Sequence, residues 1–329
     1  MRIGVLCSGG DAPGMNPCIR AIVRAAGLHQ DQVVGIRHGY QGILDEDFFD
    51  GSGSLNILGV REVSGLTSRG GTILHSSRCT EYATPQGVAR AAETLTRNAF
   101  DALIVIGGNG SMTGALNLTK IWNGKVLGIP GTIDNDLLGT DATIGFPTAI
   151  QTAVEAIDKL RDTAGSHNMM FIVEVMGRHC GDLALKTAIA GGCEIVAVPE
   201  IPTEIPKIVS ALKSYRELGK RSMIMVVAEG DDIGGAYAML DSLKKGGSPY
   251  EMRVVVLGHV QRGGTPCPAD RLLAATLGVA AVKSLRTGET GKMVGHIDGE
   301  IRLSPFEEVI ADHRQISDKM MMLLNALST

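Results

Sequence analysis

Short apolar runs alternate with amphipathic stretches along almost the whole chain. The apolar runs predict buried strands at RIGVLC, DALIVIGG, KVLGIPG, MMFIVEVMG, EIVAVPE, SMIMVVAEG and RVVVLGHV. Apolar residues at helical spacing predict helices at MNPCIRAIVRAAGL, SMTGALNLTKIW, AIQTAVEAIDKLRDTA, ADRLLAATLGVAAVKSL and, as one C-terminal helix, FEEVIADHRQISDKMMMLLNAL. Strands that are apolar throughout and alternate with helices are typical of parallel sheets with helices on both faces, so the pattern predicts an α/β fold.

The length of the chain and its residue usage refine this picture. A chain of 329 residues is long enough for two domains. Aromatic residues make up only 4% of the sequence, so the core is expected to consist mainly of Ala, Val, Ile, Leu and Met. No flexible linker is apparent, and the segment Gly139–Thr148, rich in Gly and Thr, is the expected crossing point between domains.

Charge and cysteine usage argue against several classes of function. The formal net charge of −4 provides no global positive field for nucleic acid or for an anionic membrane. No apolar run approaches the ~20 residues of a membrane-spanning helix, and the first residues are typical of a strand and not of a signal peptide. The six cysteines show no CxxC spacing, which argues against a zinc site and favours a cytoplasmic protein.

Three glycine-rich loops follow predicted strands: Ser8–Asn16, Gly107–Ser111 and the loop that starts at Gly131. Glycine allows backbone N–H groups to converge on an anion, and a helix N-terminus adds partial positive charge. Tight turns in α/β folds also require glycine, so one such loop alone is weak support for a phosphate site. None of the three has the spacing of a P-loop or of a dinucleotide fingerprint.

The stretch PGTIDND places Asp134 and Asp136 two residues apart in one of these loops. One interpretation is a helix cap and a solvated turn, because Asp and Asn favour turns. The other is phosphoryl transfer, in which one carboxylate accepts a proton from the attacking hydroxyl and the other holds Mg²⁺. Thr132 would then steady the phosphates or the attacking hydroxyl.

A second group of polar residues follows strands further along the chain. It consists of Met176-Gly177-Arg178, Glu229, Arg253, His259, Gln261 and Arg262. Arginine and imidazole bind phosphate monoesters, and a carboxylate suits sugar hydroxyls. His259 alone is more typical of a core or loop histidine, but its position three residues before Arg262 also suits an anion site.

The ordered motifs SGGDAPGMN, GGNGS, PGTIDND, MGRHCGD, VAEG and LGHVQRGG resemble those of the bacterial-type ATP-dependent 6-phosphofructokinases, from about Arg2 to Ser284. The resemblance implies two doubly wound, Rossmann-like parallel-sheet domains with the active site in the cleft between them, usually in a homotetramer. It implies a nucleotide-binding domain at 1–145 plus 261–311 and a sugar-phosphate-binding domain at 146–260 plus 312–329. The implied reaction is Mg²⁺-assisted transfer of the ATP γ-phosphoryl group to O1 of fructose 6-phosphate in glycolysis.

The resemblance also implies roles for individual residues. Asp134 would be the catalytic base, assisted by Thr132, Asp136 and Arg178, and Asn109 and Asp136 would hold the metal. The nucleotide would be lined by Gly10, Arg78, Cys79, Gly108, Asn109, Gly110 and Ser111. The sugar phosphate would be held by Thr132, Ile133, Asp134, Met176, Gly177, Arg178, Glu229, Arg253, His259, Val260, Gln261 and Arg262. In the family, the residue that matches Arg253 comes from a neighbouring subunit.

An effector site for ADP or phosphoenolpyruvate would contain Arg20, Arg24, Arg161, Gly192, Glu194, Lys220 and Arg221, although Arg20 and Arg24 also fit a solvated helix face.

Several positions bear on the donor and on departures from the family. Gly110 and Gly131 favour ATP, because pyrophosphate-dependent relatives are expected to carry Asp and Lys there. Asn109 replaces the usual metal-binding Asp, which predicts weaker Mg²⁺ binding, and Met169 replaces an Arg that reaches the sugar phosphate across a subunit interface. The nucleotide-base preference stays open, because Cys79 and Ala83 replace an aromatic residue and an arginine. The rivals are a pyrophosphate-dependent or other sugar-phosphate kinase and a catalytically weak regulatory subunit.

Overall fold

The computed structural model describes residues 1–49 and 57–327. Residues 50–56 and 328–329, which the sequence assigns to the first and the second predicted domain, lie outside the described residues. The chain forms two compact units. Unit 1 comprises Met1–Thr132, Leu137–Thr148 and Arg262–His313, and unit 2 comprises Ile133–Asp136, Ala149–Gln261 and Arg314–Thr329.

Strands and helices alternate along most of the described residues, as the sequence predicts. The strands are β1 (Arg2–Ser8), β2 (Gln32–Ile36), β3 (Ala102–Gly107), β4 (Lys125–Thr132), β5 (Ile144–Gly145), β6 (Met170–Val175), β7 (Ile195–Ala197), β8 (Met223–Ala228), β9 (Met252–Val256), β10 (Lys292–Ile297) and β11 (Glu300–Pro305). The helices are α1 (Met15–Gly27), α2 (Tyr40–Leu44), α3 (Pro85–Arg97), α4 (Asn109–Thr119), α5 (Phe146–His167), α6 (Asp182–Ala190), α7 (Ile205–Glu217), α8 (Gly235–Lys245), α9 (Pro268–Arg286), α10 (Phe306–Val309) and α11 (Asp318–Leu327). Short 3₁₀ turns lie at Leu66–Ser68 and Gly258–Arg262.

The sheet of unit 1 has the strand order β11-β10-β4-β3-β1-β2, with β5 paired to the end of β4. These neighbours are parallel except in the β10–β11 hairpin. Ser8 at the end of β1 pairs with Gly107 at the end of β3, and Gly107 pairs with Pro130 of β4. The three glycine-rich loops therefore start at neighbouring points on the carboxyl edge of one sheet, where α/β proteins place their ligands.

The core of unit 1 contains the only tryptophan of the chain, Trp122, which is 6% exposed. Its indole ring fills the space that a side chain at Gly124 would need. Helix α3 packs on the same core and begins as the sequence rules describe, with Pro85 in its first turn and the Thr84 side chain accepting the Gly87 N–H. The core thus extends from the sheet to the helices that cover it.

The sheet of unit 2 is fully parallel and has the order β7-β8-β6-β9. Successive residues of β6 point into different apolar clusters: Phe171 and Val173 into one, Met170 and Ile172 into the other. Both faces of the strand are therefore buried, which explains why its sequence is apolar throughout. The predicted α/β class with parallel sheets is confirmed.

The prediction of one helix over residues 306–327 is wrong. The segment forms α10 and α11, with residues 310–317 between them outside any helix. Phe306 is buried in the core of unit 1 and Leu324 in the core of unit 2, so the apolar residues at the two ends serve separate cores. Met321 packs partly against the unit 2 core, whereas Met322 is 71% exposed.

The boundaries of the two units differ slightly from the predicted domains. The prediction places residues 133–136 in the first domain, whereas they group with unit 2, in which Asn135 bonds to Asp182. The prediction crosses between domains at 311–312, and the units divide after His313. None of the helices within 1–49 and 57–327 is long and apolar enough to cross a membrane.

Candidate active site

The first and second glycine-rich loops of unit 1 are in direct contact. Ser111 Oγ donates a 3.0 Å hydrogen bond to the carbonyl oxygen of Ser8. A Cβ atom at Gly107 would lie 2.5 Å from that same carbonyl oxygen and 2.7 Å from Ser111 Cβ. Glycine is therefore required at 107 because the two loops touch there.

Helix α4 begins directly after β3, so its first residues, Asn109 and Gly110, stand at the carboxyl edge of the sheet. Its N-terminus has no acidic residue in the first turn and no side-chain cap, so the local charge is the positive end of the helix. A Cβ at Gly110 would meet no atom within 4 Å. Packing within unit 1 does not require glycine at 110, and open space beside a helix N-terminus suits an anionic ligand.

Arg262 reaches the first loop within unit 1. Its Nη1 atom donates to the carbonyl oxygen of Asp11 at 3.3 Å, and its guanidinium fills the space that a Cβ at Gly10 would occupy. Arg262 belongs to unit 1, which agrees with its place in the predicted nucleotide-binding domain, and it contacts the predicted nucleotide residue Gly10 although its predicted role is to bind the sugar phosphate. The arginine brings a fixed positive charge to this loop.

The predicted nucleotide residues Arg78 and Cys79 lie in unit 1 but outside its glycine-rich loops. Arg78 is exposed and Cys79 is half-buried. The Cys79 thiol donates to Gln41 Oε1 at 3.0 Å, and its sulfur accepts the Tyr82 N–H at 3.3 Å. These contacts hold the turn around Cys79 against α2.

Two tyrosines without a predicted role, Tyr40 and Tyr82, support α4. The rings of Tyr40 and Tyr82 stack with centroids 3.9 Å apart. Tyr40 donates to the carbonyl oxygen of Ser111 at 2.6 Å, and Tyr82 donates to that of Gly114 at 3.0 Å. The sequence offered a signal for Tyr82 alone, which follows the predicted nucleotide residue Cys79 by three positions, and none for Tyr40.

Thr132 is the last residue of β4 and is half-buried. Its carbonyl oxygen accepts the Thr143 hydroxyl at 2.5 Å, and its Cβ lies 3.5 Å from the Cβ position of Gly108. The predicted catalytic threonine and the second glycine-rich loop are thus neighbours.

The residues 133–136 form a fixed turn in unit 2. Asn135 adopts a left-handed φ of 51°, and its Nδ2 donates to Asp182 Oδ2 at 2.7 Å. Lys186 Nζ donates to the same oxygen at 2.9 Å. The side chain of Asn135 is fully buried, Asp136 is 8% exposed and Asp134 is half-buried, so the two aspartates flank an anchored asparagine.

The loop after β6 is also held firmly in unit 2. Gln261 is fully buried and accepts the Met176 N–H at 2.8 Å through Oε1. Gly177 has a φ of 120°, and a Cβ there would lie 2.7 Å from the carbonyl oxygen of Cys180. Arg178 is exposed at the tip, and its carbonyl group occupies the space of a side chain at Gly230, next to the exposed Glu229. Gln261 therefore acts as an anchor of the loop that presents Arg178.

Of the remaining predicted sugar-phosphate residues of unit 2, Ile133 is fully buried, whereas Arg253, His259 and Val260 lie at the surface. Arg253 is on β9, an edge strand, where it forms an exposed 2.7 Å ion pair with Glu251. His259 and Val260 are exposed in the 3₁₀ turn, and Val260 is 62% exposed. Met169, where the family carries an arginine, packs partly against the unit 2 core.

Part of the predicted effector set forms a cluster in unit 2. Arg161 Nη2 donates to the carbonyl oxygens of Gly191 and Gly192 at 2.7 and 2.8 Å. Glu194 pairs with Arg161 at 3.6 Å and with Lys220 at 3.3 Å. Arg221 follows Lys220 and is exposed. Arg20 and Arg24 lie on α1 of unit 1, the first half-buried and the second exposed.

The predicted metal ligands lie in different units, Asn109 in unit 1 and Asp136 in unit 2. Among the described residues, no group of three or more His, Cys, Asp and Glu side chains could hold a metal ion. The two predicted ligands offer amide and carboxylate oxygens, which are the donors that Mg²⁺ prefers.

Comparison with known proteins identifies a family and close relatives. The family described as phosphofructokinase matches residues 2–285. "ATP-dependent 6-phosphofructokinase 1" of Thermus thermophilus is 47% identical over 327 residues, covering 99% of both chains. "ATP-dependent 6-phosphofructokinase" of Clostridioides difficile is 47% identical over 317 residues and 96% of both chains.

Solved structures have the same fold. The phosphofructokinase of Pichia pastoris in the T-state superposes with a TM-score of 0.85 and 33% identity, and the present chain spans 99% of its own length but only 36% of that longer chain. The pyrophosphate-dependent phosphofructokinase of Marinobacter aquaeolei gives a TM-score of 0.85 at 22% identity, with 100% and 92% of the two chains covered. At this identity the second likeness concerns the fold alone.

Proposed function

Because the chain belongs to the phosphofructokinase family, we propose that it transfers the γ-phosphoryl group of ATP to the 1-hydroxyl of fructose 6-phosphate. The observation that carries this proposal is the 47% identity, over 99% of both chains, to a protein named ATP-dependent 6-phosphofructokinase. The names of the relatives confirm the activity and the enzyme class that the sequence predicts.

The nucleotide is assigned to the carboxyl edge of the unit 1 sheet. The N-terminus of α4, which has no side-chain cap, and the guanidinium of Arg262 supply positive charge for the phosphates. The open space at Gly110 leaves room for a nucleotide phosphate. Arg78 and Cys79 are assigned to the adenosine part of the nucleotide, as the resemblance implies.

Asp134 is assigned as the base that takes the proton of the sugar 1-hydroxyl. The bond from Asn135 to Asp182 fixes the turn that carries it, so the carboxylate does not need to be ordered when substrate binds. Asn109 and Asp136 would hold Mg²⁺, which neutralises charge on the phosphate oxygens when bound. Arg178, exposed on its anchored loop, stabilises the charge on the transferring group.

The sugar phosphate is assigned to residues of unit 2 together with Thr132 and Arg262. The exposed guanidinium groups of Arg178 and Arg253 and the exposed imidazole of His259 suit a phosphate monoester. Glu229 would bind sugar hydroxyls. The exposed guanidinium of Arg253 on an edge strand supports the proposal that it serves a neighbouring subunit of a homotetramer.

The cluster of Arg161, Gly192, Glu194 and Lys220 is proposed to take part in an effector site for ADP or phosphoenolpyruvate. Its cations are already balanced in part by Glu194, whose side chain is 4% exposed. An anionic effector would compete with that carboxylate for Arg161 and Lys220. We also propose that the protein is cytoplasmic and that its activity requires Mg²⁺.

The proposal is tested by a coupled assay of the purified protein with ATP or pyrophosphate as donor and several sugar phosphates as acceptor. Turnover is expected with ATP and fructose 6-phosphate. Preference for pyrophosphate or for another sugar phosphate would support the first rival, and no turnover without a partner would support the regulatory subunit.

The role of the base is tested by Asp134→Ser, with Asp241→Ser on the exposed face of α8 as a control in the same unit. Loss of a positioned base lowers kcat by roughly 10²–10⁴-fold while substrate binding is retained. Near-normal turnover of Asp134→Ser would place the base elsewhere. The control is expected to keep the wild-type kcat.

A further inference from the structure

Asp270 is a buried carboxylate that has no role in the site described above. It lies in the first turn of α9 and is 0% exposed. Its Oδ1 accepts the Gly145 N–H at 2.7 Å, and its Oδ2 accepts the Thr148 N–H at 2.8 Å as well as the Thr148 hydroxyl. The Cys267 thiol is a fourth, weaker donor, with its sulfur 3.8 Å from Oδ2. Four donors on one carboxylate make a strong, directional anchor, and it joins α9 to β5 and to the first turn of α5.

The Thr148 hydroxyl is fixed from both sides. Its oxygen accepts the Cys267 N–H at 3.0 Å, and its hydrogen goes to Asp270. The segment just before α9 and the start of α5 are therefore joined through one hydroxyl. Loss of this group would leave a buried carboxylate lone pair and a backbone N–H without their partners.

The residues that Asp270 holds are the ones that pair with the end of β4. Ile144 and Gly145 of β5 pair with Gly131 and Thr132, and the preceding Thr143 donates to the Thr132 carbonyl oxygen at 2.5 Å. Gly145 is thus bonded to Asp270 on one side and paired with Thr132 on the other. Two residues of strand cannot hold a register alone, so an external anchor is needed.

We propose that Asp270 is a positioning residue for phosphoryl transfer, because it anchors β5 and β5 in turn fixes Thr132 at the end of β4. It touches neither substrate nor metal in this role. The inference rests on the proposed function, since Thr132 must steady the reacting groups for its position to matter. Small displacements of such a group lower the rate strongly, by up to about 10²-fold for ~1 Å.

The test is the isosteric Asp270→Asn variant, in which an amide nitrogen must face one of the two backbone N–H donors. We expect kcat to fall at least about tenfold, with KM for ATP within about threefold of wild type. Backbone amide hydrogen exchange is expected to accelerate at residues 131–132 and 144–145. Thr148→Val should show a smaller loss of kcat, and Thr148→Ser, which keeps the hydroxyl, should restore it.

The stability control is Leu95→Ala, which removes a fully buried side chain of α3 far along the chain from these residues. A kcat for Asp270→Asn within twofold of wild type would overturn the inference. So would an equal loss of kcat in Leu95→Ala at a matched loss of Tm. If Asp270→Asn does not fold, the pair Thr148→Val and Thr148→Ser decides in the same way.

The outcome is separable from the fate of the proposed function. Absence of turnover in the wild-type protein would overturn the proposed function. The exchange rates at residues 131–132 would still decide whether Asp270 holds the end of β4, because they require no substrate. Unchanged exchange there would overturn the positioning role independently of any activity.

Discussion

Asn135 donates a 2.7 Å hydrogen bond to Asp182, and this bond determines where the two aspartates beside Asn135 stand. Its left-handed φ of 51° is a conformation that asparagine tolerates better than most residues. The first residue of α6 therefore anchors the turn on which the proposed base lies. The fixed turn between Asp134 and Asp136 depends on a residue 47 positions away in the chain.

Two replacements of Asn135 distinguish the contribution of its backbone conformation from that of its hydrogen bond. Asn135→Gly keeps the left-handed turn but loses the bond, and the free energy of unfolding should fall by about 1.5–3 kcal/mol because the acceptor is charged. Asn135→Ala should lose about 1 kcal/mol more, because Ala is disfavoured at positive φ. Both variants should have a lower kcat, measured beside urea unfolding.

Asn168 provides the control for this pair. It has a φ of 53° and is exposed, so Asn168→Ala has the same backbone cost at a site without the buried bond. Its kcat is expected to equal that of wild type. Wild-type kcat and stability in Asn135→Gly would contradict the anchoring role.

Asn109→Asp tests the departure from the family at the proposed metal site. A carboxylate at the first residue of α4 adds a hard anionic oxygen and complements the helix dipole, which contributes about 0.3–1 kcal/mol. The Mg²⁺ concentration for half-maximal activity should fall, and Tm should rise slightly. Asn117→Asp, in the last turn of the same helix, should leave the Mg²⁺ requirement unchanged; an equal or higher requirement in Asn109→Asp would refute the hypothesis.

The cysteines are expected to divide into two classes in thiol labelling. Burial raises the pKa of Cys7, Cys180 and Cys193 to about 12 and that of Cys18 well above its usual value. Because the thiolate is the reactive form, raising the pH from 7 to 9 should not recruit these four. Fast labelling is then expected only at the half-buried Cys79 and Cys267.

Nucleotide protection of one fast thiol would locate the nucleotide. ATP should slow labelling of Cys79 and leave that of Cys267 unchanged, as followed by peptide mass spectrometry. Cys79→Ser should abolish the ATP-sensitive phase. Equal protection of both thiols, or of neither, would remove the support for Cys79 as a nucleotide residue.

Gly110 and Gly131 both favour ATP as the donor, but packing within unit 1 leaves space for a side chain only at position 110. A side chain at Gly110 meets no neighbour, whereas a Cβ at Gly131 would lie 2.9 Å from Ile106 Cγ2 and 3.3 Å from Met15 Cε. Gly110→Asp should therefore not lower the Tm, and it should raise the KM for ATP about tenfold or more, since one added like charge faces the phosphates. Gly131→Ala should lose about 1–3 kcal/mol of stability by overpacking.

Gly165→Asp, at an exposed position of α5 with equally open surroundings, provides the matched control for Gly110→Asp. It is expected to leave the KM for ATP unchanged. An unchanged KM in Gly110→Asp itself would show that no phosphate passes this position.

The sequence predicted seven of the strands, among them β6, because a strand buried on both faces is apolar at every position, as β6 is with Met170 to Val173. The neighbouring strand ends followed from the parallel arrangement. The anchors did not follow, because Asp182 and Asp270 bind partners 47 and 122 to 125 residues away and have no local pattern. Strands β2, β5, β10 and β11 were not predicted, and β5 is too short, at two residues, to show a periodicity.

At the C-terminus, the sequence predicted one helix where the structure has two, α10 and α11. Its apolar residues have helical spacing from Phe306 to Leu327, but Phe306 and Leu324 belong to separate cores. Periodicity records which residues are buried and not in which core they are buried. The prediction therefore joined two helices that serve different units.

Because Trp122 lies in unit 1, tryptophan fluorescence distinguishes unit 1 from unit 2. The sole indole of the chain is enclosed in unit 1, so its emission reports on the packing of that unit, whereas far-ultraviolet circular dichroism records the helices of both. Emission and dichroism followed through the same denaturant titration would therefore reveal, without any label, whether the two units unfold together or one after the other.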